Sequence, residues 1–280
     1  MIDVKVQKVK VAYNEMPKGI TYYFIGPPKT GKSTQASKWS KLGAKGVLVL
    51  DSDLGADFVD GANIVPLVSF SQMEKEEIKG NKRVLTIIPP EERGFVYRNG
   101  PNAGKPMAVY SMTEIWQWLK ANWGKLPYDT IVIDTIDQIN EWIEDDVTKE
   151  LGISEMGQGD WGSDWAKARK MNADVVKKIQ MLVKKTGGNL ILISHSKKTM
   201  VQDDKVQLGP ALPSGLGKAL TAKADIIGFT SIKKATGKHI ISFRSYDERS
   251  VGSRITALAQ KELPFSYEEI KKEILRYKPE

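Results

Sequence analysis

The chain has 280 residues, 41% of them hydrophobic, and a formal net charge of +8, which suits one large α/β domain and allows an anionic partner without requiring one. Cysteine is absent and His195 and His239 are the only histidines, which excludes disulfides, thiolate metal sites, a cysteine nucleophile and a histidine-rich metal centre. The opening segment, Met1 to Gln7, lacks the apolar run of a signal peptide, and the longest apolar stretches, Gly46 to Leu50 and Leu190 to Ile193, are too short to span a bilayer. The expectation is a soluble, cytoplasmic protein with no membrane partner.

Residues 1–20 alternate loosely through Val4, Val6, Val9 and Val11 and predict a leading strand. Thr21 to Ile25 is a short apolar run that meets Gly26-Pro27-Pro28, a buried strand entering a turn. Lys32 to Leu42 reads as a helix and Gly46 to Leu50 as a second buried strand ending at Asp51-Ser52-Asp53. Residues 71–110 are irregular. Glu74 to Lys79 is charged, Pro89-Pro90 is a stop, and Arg93 to Met112 reads as a hairpin around the turn-rich Asn99 to Gly104, together a mobile insertion. Trp116, Leu119 and Trp123 share a helix face; Thr130 to Ile133 is a third buried strand; Ile136, Ile139, Ile143 and Val147 mark the next helix. Gly157 to Gly162 is a loop, Ala168 to Leu182 a long amphipathic helix, and Asn189 to Ser194 a fourth strand. Residues 197–216 read as a long polar loop. Ala224 to Phe229 and His239 to Arg244 are late strands, and Tyr267 to Tyr277 a terminal helix. Strands alternating with helices predict a mostly parallel sheet covered on both faces, with ligands at the carboxyl ends of the strands. The organisation expected is one domain over 1–265, with the insertion at 71–110, and a helical tail over 266–280.

Gly26-Pro27-Pro28-Lys29-Thr30-Gly31-Lys32-Ser33, followed by Thr34, matches the Walker A pattern in full and lies between an apolar strand and a helix, as that motif requires. Glycines are needed where the backbone must wrap a phosphate closely, and the following helix offers unpaired N–H groups to an anion. In that motif the lysine neutralises the β- and γ-phosphates of ATP, here Lys32, and the hydroxyl, here Ser33, coordinates Mg²⁺. Asp134 follows four β-favouring residues, the Walker B pattern, and is placed to hold the magnesium through water. Asp137 lies past the strand and reads as a helix N-terminal charge.

With these motifs the chain resembles the RecA-like P-loop ATPases over about residues 20–260, and within them the nucleotide-binding and single-strand annealing group of bacteriophages. The resemblance implies a parallel sheet with a late β-hairpin, ATP hydrolysis with magnesium, and action on single-stranded DNA in recombination, annealing or repair, in the cytoplasm of a host cell. It places Asp53 where the family has a glutamate that polarises the attacking water, one methylene shorter here. It makes His195, at the end of Leu190 to Ser194, the γ-phosphate sensor. Residues 197–214 become a mobile DNA loop, and Gly157 to Trp165 takes the position of another. Members act as rings or filaments, so a homo-oligomer is implied, with Arg244 as the basic residue offered to a neighbouring ATP and Arg254 and Lys238 behind it.

Lys218 to Arg254 carries eight basic and three acidic residues, five of the net eight charges, and Trp161 and Trp165 are available to stack on bases. Two other readings stay open: an ATP-dependent assembly module with little hydrolysis, and a nucleotide or small-molecule kinase with Arg93 and Arg98 in a phosphate-clamping lid.

Overall fold

The computed structural model describes residues 13–69, 73–79, 82–200, 206–245 and 249–278. Its strands are Thr21–Gly26 (β1), Val47–Asp51 (β2), Asn63–Pro66 (β3), Glu74–Lys79 (β4), Lys82–Ile87 (β5), Thr130–Asp134 (β6), Asn189–Met200 (β7), Val206–Pro210 (β8), Ile226–Lys233 (β9), Lys238–Ser242 (β10), Gly252–Ser253 (β11) and Glu262–Pro264 (β12). The helices are Lys32–Ala36 (α1), Met112–Asn122 (α2), Ile136–Leu151 (α3), Ser163–Lys185 (α4), Ser214–Lys223 (α5) and Tyr267–Arg276 (α6).

The sheet runs β12-β10-β9-β1-β7-β6-β2-β3. From β9 to β3 every pairing is parallel, while β10 and β12 return antiparallel. Strands β1, β2 and β6 are buried at every position, which is why their sequences are continuous apolar runs rather than alternating ones. Successive residues still serve opposite faces. Tyr23, Ile25, Ile131, Ile133, Leu190 and Leu192 pack under α2 to α5, whereas Tyr22, Phe24, Val132, Ile191 and Ile193 pack against Trp39, Phe265 and α6. Trp39 is the hub of the second face, with ring centroids 4.8 Å from Phe24 and 5.7 Å from Phe265. The helix α6 buries Ile270 and Ile274 in that same core. Among the described residues no helix is long and apolar enough to cross a membrane.

Register sets the positions of the strand ends. Gly26 is paired with His195, and Asp134 with both Ile193 and Asp51. The ends of β1, β6 and β2 and the midpoint of β7 therefore lie abreast along one edge of the sheet.

Several expectations are corrected. The leading strand falls mostly outside the described residues, and 13–20 contains no strand. The helix expected to reach Leu42 stops at Ala36. Ser37 donates to the Thr34 carbonyl and Ser40 to Asp129, so serine hydroxyls draw the chain into tight turns instead. Of the polar loop predicted over 197–216, residues 201–205 lie outside the described residues, and the described remainder is mostly regular structure. Strand β7 continues to Met200 and pairs antiparallel with β8, and α5 begins at Ser214. Residues 71–110 hold the antiparallel β4–β5 ribbon, and the hairpin expected around Asn99 to Gly104 is present in short form: Val96 bridges Pro106, and the N–H groups of Tyr97 and Met107 donate to the carbonyls of Lys105 and Phe95 at 3.0 and 2.8 Å.

The two arginines of that segment are engaged. Arg93 is buried, grips both carboxylate oxygens of Glu114 (2.9 and 3.0 Å) and donates to the carbonyls of Ile88 and Val109. Arg98 binds Asp57 and the Leu54 carbonyl. Burial would raise Glu114, but the Arg93 and Ser111 hydrogen bonds hold its pKa below the usual range. A lid built on these side chains would have to break them first. Arg93→Met is expected to lower stability by about 2–4 kcal/mol in chemical denaturation, because buried carbonyls lose their donor. The folded fraction should keep its nucleotide affinity; loss of affinity without loss of stability would return Arg93 to a phosphate-clamping role.

Candidate functional site

Between β1 and α1 the chain makes a wrapped loop whose shape depends on two glycines. A Cβ on Gly26 would lie 2.2 Å from Thr230 Oγ1 and 2.4 Å from the Thr230 carbonyl oxygen, so only glycine fits there. Gly31 has φ +84°, the left-handed region, and precedes α1 without a side-chain cap. Pro27, Pro28 and Lys29 form the exposed rim, and Thr30 is buried beneath them. Lys32 is buried, with Nζ donating to the carbonyls of Gly26 and Pro27, both at 2.8 Å. Burial lowers its pKa to about 8, against the pull of Asp134, Asp137 and Asp53. Thr34 is exposed on α1, and its carbonyl accepts from Ser37.

Asp134 ends β6 and is buried. Burial raises its pKa to about 7; the Ser33 hydroxyl, hydrogen-bonded to it, and Lys32 work the other way, while Asp51 and Asp53 add to the rise. The carboxylate and the hydroxyl expected to share a magnesium ion are thus side by side. One carboxylate, one hydroxyl and phosphate oxygens form the donor set that Mg²⁺ accepts while keeping several waters.

The Asp51-Ser52-Asp53 segment is tied to the end of β6. The Ser52 N–H donates to the Asp134 carbonyl at 2.7 Å, and the Ser52 hydroxyl donates to the Thr135 carbonyl while accepting from its N–H, both at 2.8 Å. The two acids beside Ser52 differ in role. Asp51 is buried and receives the N–H groups of Gly55 and Ala56, closing its own loop. Asp53 is exposed and accepts from Thr135 Oγ1 at 3.1 Å. Burial of its carboxyl end raises its pKa, with Thr135, His195 and Lys32 opposing and Asp137 adding.

Asp137 is more than a helix-terminal charge. It sits in the first turn of α3, yet its carboxylate takes the Ser194 hydroxyl at 2.5 Å, the His195 N–H at 2.6 Å and His195 Nδ1 at 3.2 Å. It fixes the backbone and the ring of His195 together. This hydrogen bond raises the His195 pKa, against burial and Lys32, so the imidazole is held toward its protonated form beside the strand ends.

Lys32, Ser33, Asp53, Asp134 and His195 therefore converge, each within electrostatic reach of others in the group. Arg244 does not join them. It is exposed beyond β10, with Nε donating to the Gln260 carbonyl at 3.2 Å. Sequence reasoning missed Thr230 and His239, which hold the loop from β9 and β10. Thr230 Oγ1 lies 2.7 Å from Thr30 Oγ1, and His239 Nδ1 lies 2.9 Å from the Thr30 carbonyl oxygen. No local pattern joins positions about two hundred residues apart; only the β1–β9 pairing does.

The sequence model of a family described as an AAA domain matches residues 18–262. Among curated proteins no match is found. The mostly parallel α/β sheet, with its glycine loop after β1, is a P-loop nucleoside-triphosphatase fold.

The two perturbed groups set opposite pH limits. Magnesium requires Asp134 as carboxylate, which is lost as pH falls below about 7, and the phosphates require Lys32 as ammonium, which is lost as pH rises above about 8. Affinity for magnesium-nucleotide should peak between these values and fall by up to about tenfold per pH unit on either side. Calorimetric titration across the range checks this. Asp134→Asn should remove the acid limb, and a flat wild-type profile contradicts the assignment.

Proposed function

The chain belongs to the AAA-domain family, a family of nucleotide-binding ATPases, and from that premise we propose that it is a RecA-like ATPase whose turnover is coupled to single-stranded DNA in recombination, annealing or repair. The observation that carries the hydrolytic part is the convergence of Lys32, Ser33, Asp53, Asp134 and His195 at aligned strand ends. The backbone of Gly26 to Thr34 and the Lys32 ammonium grip the triphosphate of ATP, and Ser33 and Asp134 would hold Mg²⁺, which would supply positive charge to offset that of the phosphates. Asp53, exposed and oriented by the Thr135 hydroxyl, directs a water in line with the terminal phosphate and draws off its proton. His195, clamped by Asp137, reads that phosphate. Strand β7 runs on from His195 into the β7–β8 ribbon, so a shift at His195 has a continuous element along which to travel. Such coupling requires ATP to bind the two ribbon arrangements with different affinity.

The DNA part rests on the surface beyond that ribbon. Trp161 is fully exposed at φ 54° and Trp165 half exposed, at the entrance to α4. Trp165, Arg169, Asn140, Glu144 and the Pro213 to Leu216 end of α5 line one cavity of about 380 Å³, where the Trp165 ring could stack on a base beside the Arg169 guanidinium, with Glu144 opposing the charge. The basic stretch is thinner than its count implies: Arg254 pairs with Asp225, Lys223 donates to the Ala173 carbonyl, and Arg249 stacks on Phe229. Lys218, Lys233, Lys234, Lys238 and Arg244 remain exposed. Arg244, outside its own chain's site, is offered to a neighbouring copy in a ring or filament, where it stabilises charge on the transferred phosphoryl group. The engaged state of Arg93 and Arg98 weighs against the kinase reading; the short reach of Asp53 keeps the weakly hydrolysing assembly module as the second reading.

ATP turnover measured with and without single-stranded DNA, at low and high salt, tests the proposal. DNA-stimulated, salt-sensitive turnover is expected; tight ATP binding with negligible turnover would favour the assembly module, and turnover that requires a small acceptor the kinase. Lys32→Ala is expected to abolish activity. Asp53→Asn should preserve ATP binding and lower kcat by about 10²–10⁴-fold; normal turnover in that variant removes Asp53 from the mechanism.

A further inference from the structure

We propose that His239 is a positioning residue for the nucleotide site, holding the Thr30–Gly31 peptide in the orientation that turns the Gly31 N–H toward a bound phosphate. The inference rests on the reading of Gly26 to Ser33 as a phosphate cradle and adds a residue that neither the motif nor the family match assigns.

The geometry is specific. His239 Nδ1 is 2.9 Å from the Thr30 carbonyl oxygen. That oxygen can only accept, so Nδ1 carries the proton and donates. The Thr30–Gly31 peptide is planar and trans, and in a trans peptide the C=O and N–H point in opposite directions. Drawing the Thr30 oxygen toward β10 therefore drives the Gly31 N–H the other way, into the wrapped side of the loop. With the peptide reversed, a carbonyl oxygen would face the phosphate oxygens, acceptor against acceptor. Gly31, at φ +84°, has no Cβ to resist such a reversal.

The ring is well supported. Strand β10 pairs His239 with Ile232, and the His239 carbonyl accepts from the Phe265 N–H at 3.0 Å, so the backbone beneath the imidazole is fixed on both sides. A Cβ on Gly31 would come within 3.0 Å of Nδ1, so the ring lies directly against that glycine. The same β-ribbon holds Thr30 a second time, through the 2.7 Å contact between the Thr230 and Thr30 hydroxyls, and Thr30 Oγ1 also donates to the Pro27 carbonyl at 2.9 Å. One residue of the loop is thus gripped by its hydroxyl and by its carbonyl, both from β9 and β10.

Three single variants and one double variant test the inference: His239→Leu, His239→Asn, Thr230→Val, and Thr230→Val with His239→Leu. Leucine fills space without a donor; asparagine places an amide N–H where Nδ1 stood. His239→Leu should raise the KM and Kd for ATP about three- to tenfold, the range set by one net hydrogen bond, with kcat within about twofold because Lys32, Ser33, Asp53 and Asp134 are untouched. His239→Asn should recover most of the affinity. The double variant should depart from additivity, since both groups restrain one residue. Circular dichroism checks that each variant is folded, and Thr230→Val with His239→Asn carries the test if His239→Leu is not. Wild-type affinity in His239→Leu, equal losses in the leucine and asparagine variants, or a fall in kcat at unchanged KM would each overturn the inference while leaving the cradle intact. Failure of the wild-type protein to bind ATP overturns both together.

Discussion

A strand buried on both faces can carry ionisable groups only where it leaves the sheet. In this chain the parallel register brings those exits into line, and the chemistry gathers there. Gly26 turns out of β1 beside His195, and Asp134 leaves β6 beside Asp51. No single loop assembles the site. Four neighbouring strands do, and moving one of them by a single residue would turn its polar end toward the opposite face.

Bringing these ends together concentrates charge. Asp51, Asp53, Asp134 and Asp137 are all sensed by their neighbours at this edge, with Lys32 and His195 opposing them. Asp51 is satisfied by backbone N–H groups and Asp137 by Ser194 and His195. Asp134 and Asp53 keep acceptor capacity, which is the condition for holding a metal ion and for directing a water. The protein settles two of its four acids structurally and leaves the other two for ligands. That division follows from hydrogen bonding rather than from position along the strands.

Much of this was legible in the sequence where the signal was local. The apolar runs of β1 and β6, the glycine spacing of Gly26 to Ser33 and the acid ending β6 fall within short windows, and helices α3 and α4 announce themselves by period. The failures share a cause: each needed a partner distant in sequence. After the five-residue α1 the chain runs through tight turns to Ser40, whose hydroxyl is held by the distant Asp129. The extension of β7 requires β8 as its pair. Asp137 looks like a helix-start charge until β7 is laid beside α3. His239, a lone histidine on a late strand, carries no local mark at all; it acquires meaning only through the antiparallel return of β10 beside β9 and the parallel seating of β9 on β1.

That seating has a consequence for biogenesis. Thr30 and Thr230 are 200 positions apart, so during vectorial synthesis the glycine loop leaves the ribosome long before the strand that braces it. With translation at about 5–20 residues per second, the interval is on the order of ten seconds or more. Until β9 docks, β1 has an open edge and Gly26 faces no Thr230. The nascent chain therefore possesses the motif before it possesses the cradle, and competence for nucleotide arrives late, with closure of the sheet.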